Sequence, residues 1–279
     1  MIIIDTQWWV HQFERASGEK DGCDVRDEDE LMVMFKDLLK KYRNQNVLVV
    51  GHHPLYSNGE HGGHFTFKDH LFPLNAINHD QYIPIPLIGS IYPLYRKFLG
   101  HPQDITHPTY QDMKNKLVKA MNEYENVVYV CGHEHNLQYT KQKNTHHVIS
   151  GSGSKVTHVK FNNKLTFGAM QRGYSKISYY ENGAIWLEFF VMDPISNEES
   201  LGYRKLLFQR EVSRNDEPVG VVPQSYENRF ENLVPDSCLA AGGLKKVFFG
   251  ELNREIWATP VKVPYLDIHF EKGGLKPIK

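Results

Sequence analysis

Imidazole is concentrated in two short segments of this chain, Gly51-His52-His53-Pro54 and Gly132-His133-Glu134-His135-Asn136. Neutral imidazole is a favoured ligand for borderline divalent metals, and its charge change near neutral pH suits it to proton transfer. Each segment follows a short apolar run, Val47-Leu48-Val49-Val50 in the first case and Val127-Val128-Tyr129-Val130 in the second. An apolar run, then Gly, then His, predicts a buried strand ending in a tight turn that presents an imidazole at the edge of the sheet. Two such ends side by side would aim His52, His133 and His135 at one point, as in a metal site built on the loops that follow parallel strands.

The elements that must position these residues are legible as periodicities. Asp27-Glu28-Asp29-Glu30 suits the first turn of a helix, where the dipole favours negative charge. Leu31, Met34, Phe35, Leu38 and Tyr42 then recur at helical spacing and predict an amphipathic helix ending near Arg43. Ile2-Ile3-Ile4-Asp5 reads as a buried strand, so strand, helix and strand follow one another and imply a parallel sheet with a right-handed crossover. A second helix opens at Thr109-x-x-Asp112, with Tyr110, Met113, Leu117, Met121 and Tyr124 on one face, and leads into Val127. Both histidine segments therefore follow a helix–strand unit, and ligands belong at the carboxyl ends of such strands.

The stretch 64–108 is long and rich in proline, yet Phe65, Phe67, Phe72, Tyr82, Leu87, Tyr92 and Tyr95 argue that it is ordered as a cap beside the site. After the second segment, alternating runs at 137–141, 146–150, 174–180, 184–192 and 203–210 predict antiparallel strands, with Glu181-Asn182-Gly183 as a hairpin turn. The pattern is lost from Ser213 onward, so 1–212 reads as one domain and 213–279 as a tail or connector.

Composition sets outer bounds. A hydrophobic content of 41% with 12% aromatics fits a folded globular chain, and a formal net charge of −1 gives no push toward nucleic acid or anionic membrane. Cys23, Cys131 and Cys238 are too few and scattered for a disulfide framework. No stretch approaches the ~18 apolar residues of a membrane helix. The chain lacks the basic lead-in and longer apolar stretch of a signal peptide at its first residues.

The pattern Gly-His-x-Pro followed by Gly-His-x-His-Asn resembles the calcineurin-like metallophosphoesterases, and in particular their purple acid phosphatase branch. The flanks agree as well: Glu60-His61-Gly62 follows the first motif, and Asn136-Leu137-Gln138-Tyr139 and Ser150-Gly151-Ser152-Gly153 follow the second. The resemblance spans residues 1–155 and is to bacterial, Bacteroidetes-type proteins. It implies an α/β (α+β) fold, a β-sandwich flanked by helices, with an inserted cap loop and an irregular C-terminal tail.

The resemblance further implies a phosphatase with two metal ions (Fe, Zn or Mn). His52, His133 and His135 would be metal ligands, and His61 a catalytic proton donor to the leaving group. His53 stands where the family often has an aromatic and is open between facing the substrate and packing; Glu60 is a candidate to orient His61. The family's earlier motifs, Asp-x-His, Gly-Asp and Gly-Asn-His, do not occur upstream of His52. Asn78-His79-Asp80 and Asp267-Ile268-His269 share letters with them but not order or flanks, and are not read as ligands. These features predict the C-terminal half of a longer enzyme, inactive alone, whose missing half would pair with the strands at Ile2 and Val47. The expected partner is a phosphorylated small molecule or protein, with no nucleic acid and no membrane segment. The sequence leaves the location open; the family resemblance is compatible with a periplasmic or exported one. Two other readings are a non-catalytic metal-binding module and a phosphodiesterase or nuclease of the same superfamily.

Overall fold

The computed structural model describes residues 1–11, 15–23, 25–72, 83–85, 88–180, 183–209, 231–232 and 266–267. The hairpin residues Glu181 and Asn182, the look-alike Asn78-His79-Asp80 and most of 213–279 lie outside them.

The parallel strands form as their apolar runs require. β1 (Ile2–Ile3) pairs with β2 (Val47–Val50), and β2 pairs in parallel with β3 (Val127–Cys131) in the register Val47↔Val127 to Val50↔Val130. On the far side of β3 lies β5 (Thr145–Ser150), again parallel, and then the antiparallel β4 (Leu137–Gln142) and β6 (Phe167–Ala169). Side chains alternate across these strands. Val47, Val49, Val127, Tyr129 and Cys131 enter one core, whereas Leu48, Val128 and Val130 enter another. Both faces of the sheet are therefore covered, which is why the runs are continuously apolar and not alternating.

Helices cover the first face. α1 (Thr6–Val10) directly follows β1, with the Asp5 side chain accepting the Trp8 N–H at its start. α2 (Glu28–Lys41) begins where Asp27 accepts the Glu30 N–H, and it buries Leu31, Met32, Phe35, Leu38 and Leu39. The cap contains α3 (Phe67–Leu71) and α4 (Ile91–Phe98), and α5 (Pro108–Met121) returns to the core through Tyr110, Met113, Leu117 and Met121. A second sheet covers the other face: the antiparallel β7 (Gly173–Tyr179), β8 (Ile185–Met192) and β9 (Glu199–Phe208). Ile177, Ile185, Leu187, Phe189 and Val191 from this sheet meet Leu48, Val128, Val130 and Tyr139 of the first. The architecture is a mixed α/β fold, a β-sandwich with helices on one outer face.

At this end of the sheet β2 lies between β1 and β3, and β1 is itself flanked by β10 (Glu231–Asn232). A further short strand, β11 (Leu266–Asp267), pairs in parallel with β7. Residues 231–232 and 266–267, the described part of the stretch read as a tail or connector, thus lie at the edge of each sheet, and two-residue pairings carry no periodicity that would announce them. Cys23 is disulfide-bonded, while Cys131 is free and buried.

Candidate metal centre

The two histidine segments meet because their strands are neighbours and their backbone ladder runs past the strand ends. Gly51 N–H donates to the Val130 carbonyl and Gly132 N–H to the His52 carbonyl. A Cβ at Gly51 would stand 2.5 Å from the Tyr129 hydroxyl and 3.0 Å from Thr6 Cγ2, so only glycine lets the loop pass there. Two buried tyrosines pin the rest of the loop: Tyr129 donates to the His53 carbonyl at 2.7 Å and Tyr110 to the Pro54 carbonyl at 2.6 Å. In the second loop His133 has a left-handed backbone, φ 64°. For a residue with a Cβ that conformation costs roughly 1 kcal/mol, which the surrounding contacts must offset.

Thr6, fully buried at the start of α1, organises the first loop. Its hydroxyl oxygen accepts the N–H of His52 and of His53, each at 3.1 Å, and lies 2.8 Å from His53 Nδ1. With both lone pairs used, the hydroxyl proton goes to Nδ1, so His53 carries its own proton on Nε2 and donates it to Gln103 Oε1 at 2.6 Å. Burial holds His53 neutral, with a pKa pushed down to about 3. It is completely buried and both ring nitrogens are engaged. His53 packs, then, and does not face a substrate.

His52, His53 and His133 place one nitrogen each within 4.8 Å of one another. Because His53 is committed elsewhere, His52 and His133 are the pair free to share an ion. His133 Nε2 lies 3.1 Å from the Gln103 carbonyl, which only accepts, so its proton sits there and Nδ1 keeps a lone pair. That lone pair faces His52 Nε2 at 3.1 Å. Two nitrogens bound about 2.0–2.1 Å from one tetrahedral zinc lie about 3.4 Å apart, so the pair sits close to chelating geometry. Desolvation keeps both rings neutral. It lowers His52, where the Asp5 charge pulls the other way, and it lowers His133 far more strongly, helped by the neighbouring His61, His53 and His52.

His61 joins this group, its ring centroid 4.0 Å from that of His133. Its Nδ1 lies 2.9 Å from Asp104 Oδ1. Asp104 is buried and held by Arg96 through both carboxylate oxygens and by the His101 N–H at 2.9 Å. Burial opposes its ionisation, but the bonds from Arg96, His61 and His101 outweigh that and set its pKa at about 2. Asp104, not Glu60, therefore fixes the His61 ring. Glu134, between the two motif histidines, is another buried acid: its Oε1 accepts the Ser57 hydroxyl at 2.5 Å and the His61 N–H at 2.9 Å. Gly59 is needed beside it, since a Cβ there would meet the Glu134 carboxylate at 2.5 Å.

His135 stands outside the close group. Its ring is half-buried, its pKa is lowered by desolvation and then by Lys155 and His61, and its charge is felt at His52. Asn136 serves the turn: its carbonyl accepts the Gly151 N–H and its amide reaches Thr157 and His158. Sequence reasoning missed Thr6, Gln103 and Asp104. Thr6 follows the apolar run Ile2-Ile3-Ile4 without a motif of its own, and Gln103 and Asp104 sit in the proline-rich cap in the same condition.

No family model matches the chain, and no curated protein matches it. Among solved structures, the chain is similar to GAP50, the anchor in the inner membrane complex of Plasmodium, at 15% identity with a TM-score of 0.43. That match covers 75% of this chain and 49% of the other, so the chain spans about half the length of the solved chain it matches.

Proposed function

We propose that this chain carries the histidine side of a metal-dependent phosphoester hydrolase centre. The observation that carries the reading is the pairing of His52 Nε2 with His133 Nδ1 at 3.1 Å, on loops after adjacent parallel strands, with His61 packed beside them. Both rings are neutral: His133 Nδ1 offers a lone pair, and His52 Nε2, which donates to it in this structure, would offer one with the His52 proton on Nδ1, as a zinc, iron or manganese ion needs, and imidazole does not choose among these. A bound ion supplies Lewis acidity toward a phosphoryl oxygen. In its doubly protonated form His61 would keep Nδ1–H on Asp104 and present Nε2–H to the leaving-group oxygen, where a proton must arrive as the ester bond breaks, and would be left as the Nδ1–H imidazole. The substrate class is a phosphorylated small molecule or protein.

The donors fit one ion. Among the described residues no carboxylate joins the close group, although the Asp5 charge reaches His52, so anionic ligands for a second, bridged ion are not part of this cluster. That same observation favours the second reading, a metal-binding module without turnover.

The two separate in a simple experiment on the full chain loaded with Zn²⁺ or Mn²⁺. The hydrolase reading expects metal-dependent release of phosphate from an aryl monoester, or at least paramagnetic relaxation of inorganic phosphate by bound Mn²⁺, both lost in His133→Asn. Tight metal binding with no effect on phosphate would leave the accessory reading standing.

A further inference from the structure

We propose that Asp104 is a positioning residue, locked by Arg96, that fixes the His61 imidazole as the Nδ1–H tautomer and reserves Nε2 for the site. The hydrolase reading gives this arrangement its purpose, but the arrangement is read from geometry alone. Asp104 Oδ1 lies 2.9 Å from His61 Nδ1, and the carboxylate is 1% exposed. Arg96 reaches both carboxylate oxygens, with its Nε 2.9 Å from Oδ2. The His101 N–H adds a third donor, at 2.9 Å from Oδ2.

Two proton placements are open at His61. In one, Nδ1–H donates to Asp104. In the other, Nδ1 is bare and accepts from Arg96 Nη2 at 3.2 Å. The second would set a lone pair against a buried anionic oxygen at 2.9 Å, whereas the first adds a charge-assisted bond. Arg96 already spends its fork on the carboxylate, so it does not need His61 as an acceptor. The Nδ1–H tautomer therefore wins, and among the described residues no hydrogen bond engages Nε2.

The same carboxylate cannot drift. Arg96 comes from α4, while Thr106 donates to the Arg96 carbonyl at 2.9 Å and the Ile105 N–H donates to the His61 carbonyl at 2.9 Å. Carboxylate, arginine and the His61 backbone are thus tied to one segment, 96–106. This is the arrangement by which a buried acid orients a proton-transferring imidazole without itself touching the substrate.

The test uses histidine-selective ¹⁵N labelling of the full chain, with His61 assigned through the His61→Gln variant. At a pH well above the ordinary histidine range, long-range ¹H–¹⁵N correlations should show His61 protonated on Nδ1. Asp104→Asn should move a substantial fraction of His61 to the Nε2–H form, and Asp104→Glu should restore part of the original pattern. In turnover, Asp104→Asn should lower kcat by on the order of 100-fold for alkyl esters with poor leaving groups, far less for activated aryl esters, with KM little changed. An Nε2–H tautomer in the unaltered chain overturns the proposal whether or not any variant folds, as does a tautomer indifferent to Asp104→Asn. Absence of phosphatase activity together with no effect of bound Mn²⁺ on inorganic phosphate would sink the hydrolase reading and leave the tautomer result to decide this one.

Discussion

Among the described residues, histidines cluster around the carboxyl ends of β2 and β3 and inside β5, and the two groups are held in opposite ways. At the strand ends three rings are aimed by hydrogen bonds: Thr6 and Gln103 hold His53, the Gln103 carbonyl holds His133, and Asp104 holds His61. Inside β5, His147 lies against Tyr56 and Tyr129 with neither ring nitrogen hydrogen-bonded, and His146 bonds Tyr139 through Nδ1 but leaves Nε2 without a partner. An imidazole in a strand interior is fixed by the pleat and takes whatever its face offers, whereas one on a loop must be aimed by its neighbours. Density of hydrogen bonds around the ring, more than burial, separates the group built for chemistry from the group built into the core.

The largest effect that could break this comparison concerns metal affinity. His133→Asn, a substitution that tolerates the left-handed backbone, should weaken Zn²⁺ binding by on the order of 100-fold or more in a calorimetric titration, while His147→Leu should leave it unchanged. Equal losses in both would erase the distinction.

Thr6→Val comes next. It keeps the shape but strands two backbone N–H groups and His53 Nδ1 in a buried loop, so denaturant unfolding should show a loss of about 2–3 kcal/mol. A loss below about 0.5 kcal/mol would mean that the loop is held by the tyrosines alone.

The smallest effect concerns acid. Burial lowers the His147 pKa to about 3, with His146 and Lys114 adding to it, from an ordinary value near 6.5. The unfolded chain therefore binds this proton more readily. The stability from a neutral His147 is full above pH 6.5 and falls as pH drops toward about 3, by about 1.4 kcal/mol per unit. Between pH 6.5 and 5 that amounts to about 2 kcal/mol, which His147→Leu should remove from the urea-unfolding profile. His53 and His146 titrate in the same window and should leave a residual slope.

The parallel core and both histidine motifs were readable because they rest on local signals. Continuous apolar runs predicted β2 and β3, acidic and apolar spacing predicted α2 and α5, and alternation predicted five strands for a second sheet, of which β7, β8 and β9 form it with shifts of a few residues, whereas β4 and β5 join the first sheet beside β3. What escaped had no local signature. α1 follows β1 directly and was hidden by its tryptophans, which look like strand residues. Asp104 reaches His61 across 43 positions, and Thr6 reaches His53 across 47. Such partners are chosen by topology, and a single sequence records topology only through the elements it encodes.

The segment 101–107 touches the centre at several points: the Gln103 side chain at His53, the Gln103 carbonyl at His133, the Asp104 carboxylate at His61 and the Ile105 N–H at the His61 carbonyl. Ordering of this loop and ordering of the rings are consequently one event. Opening the loop releases three imidazoles together, and an ion that clamps His52 to His133 makes that opening costlier. In amide exchange, the Ile105 and His61 N–H groups should open as one cooperative unit, and added Zn²⁺ should slow exchange in a cap segment that supplies no side chain to the metal.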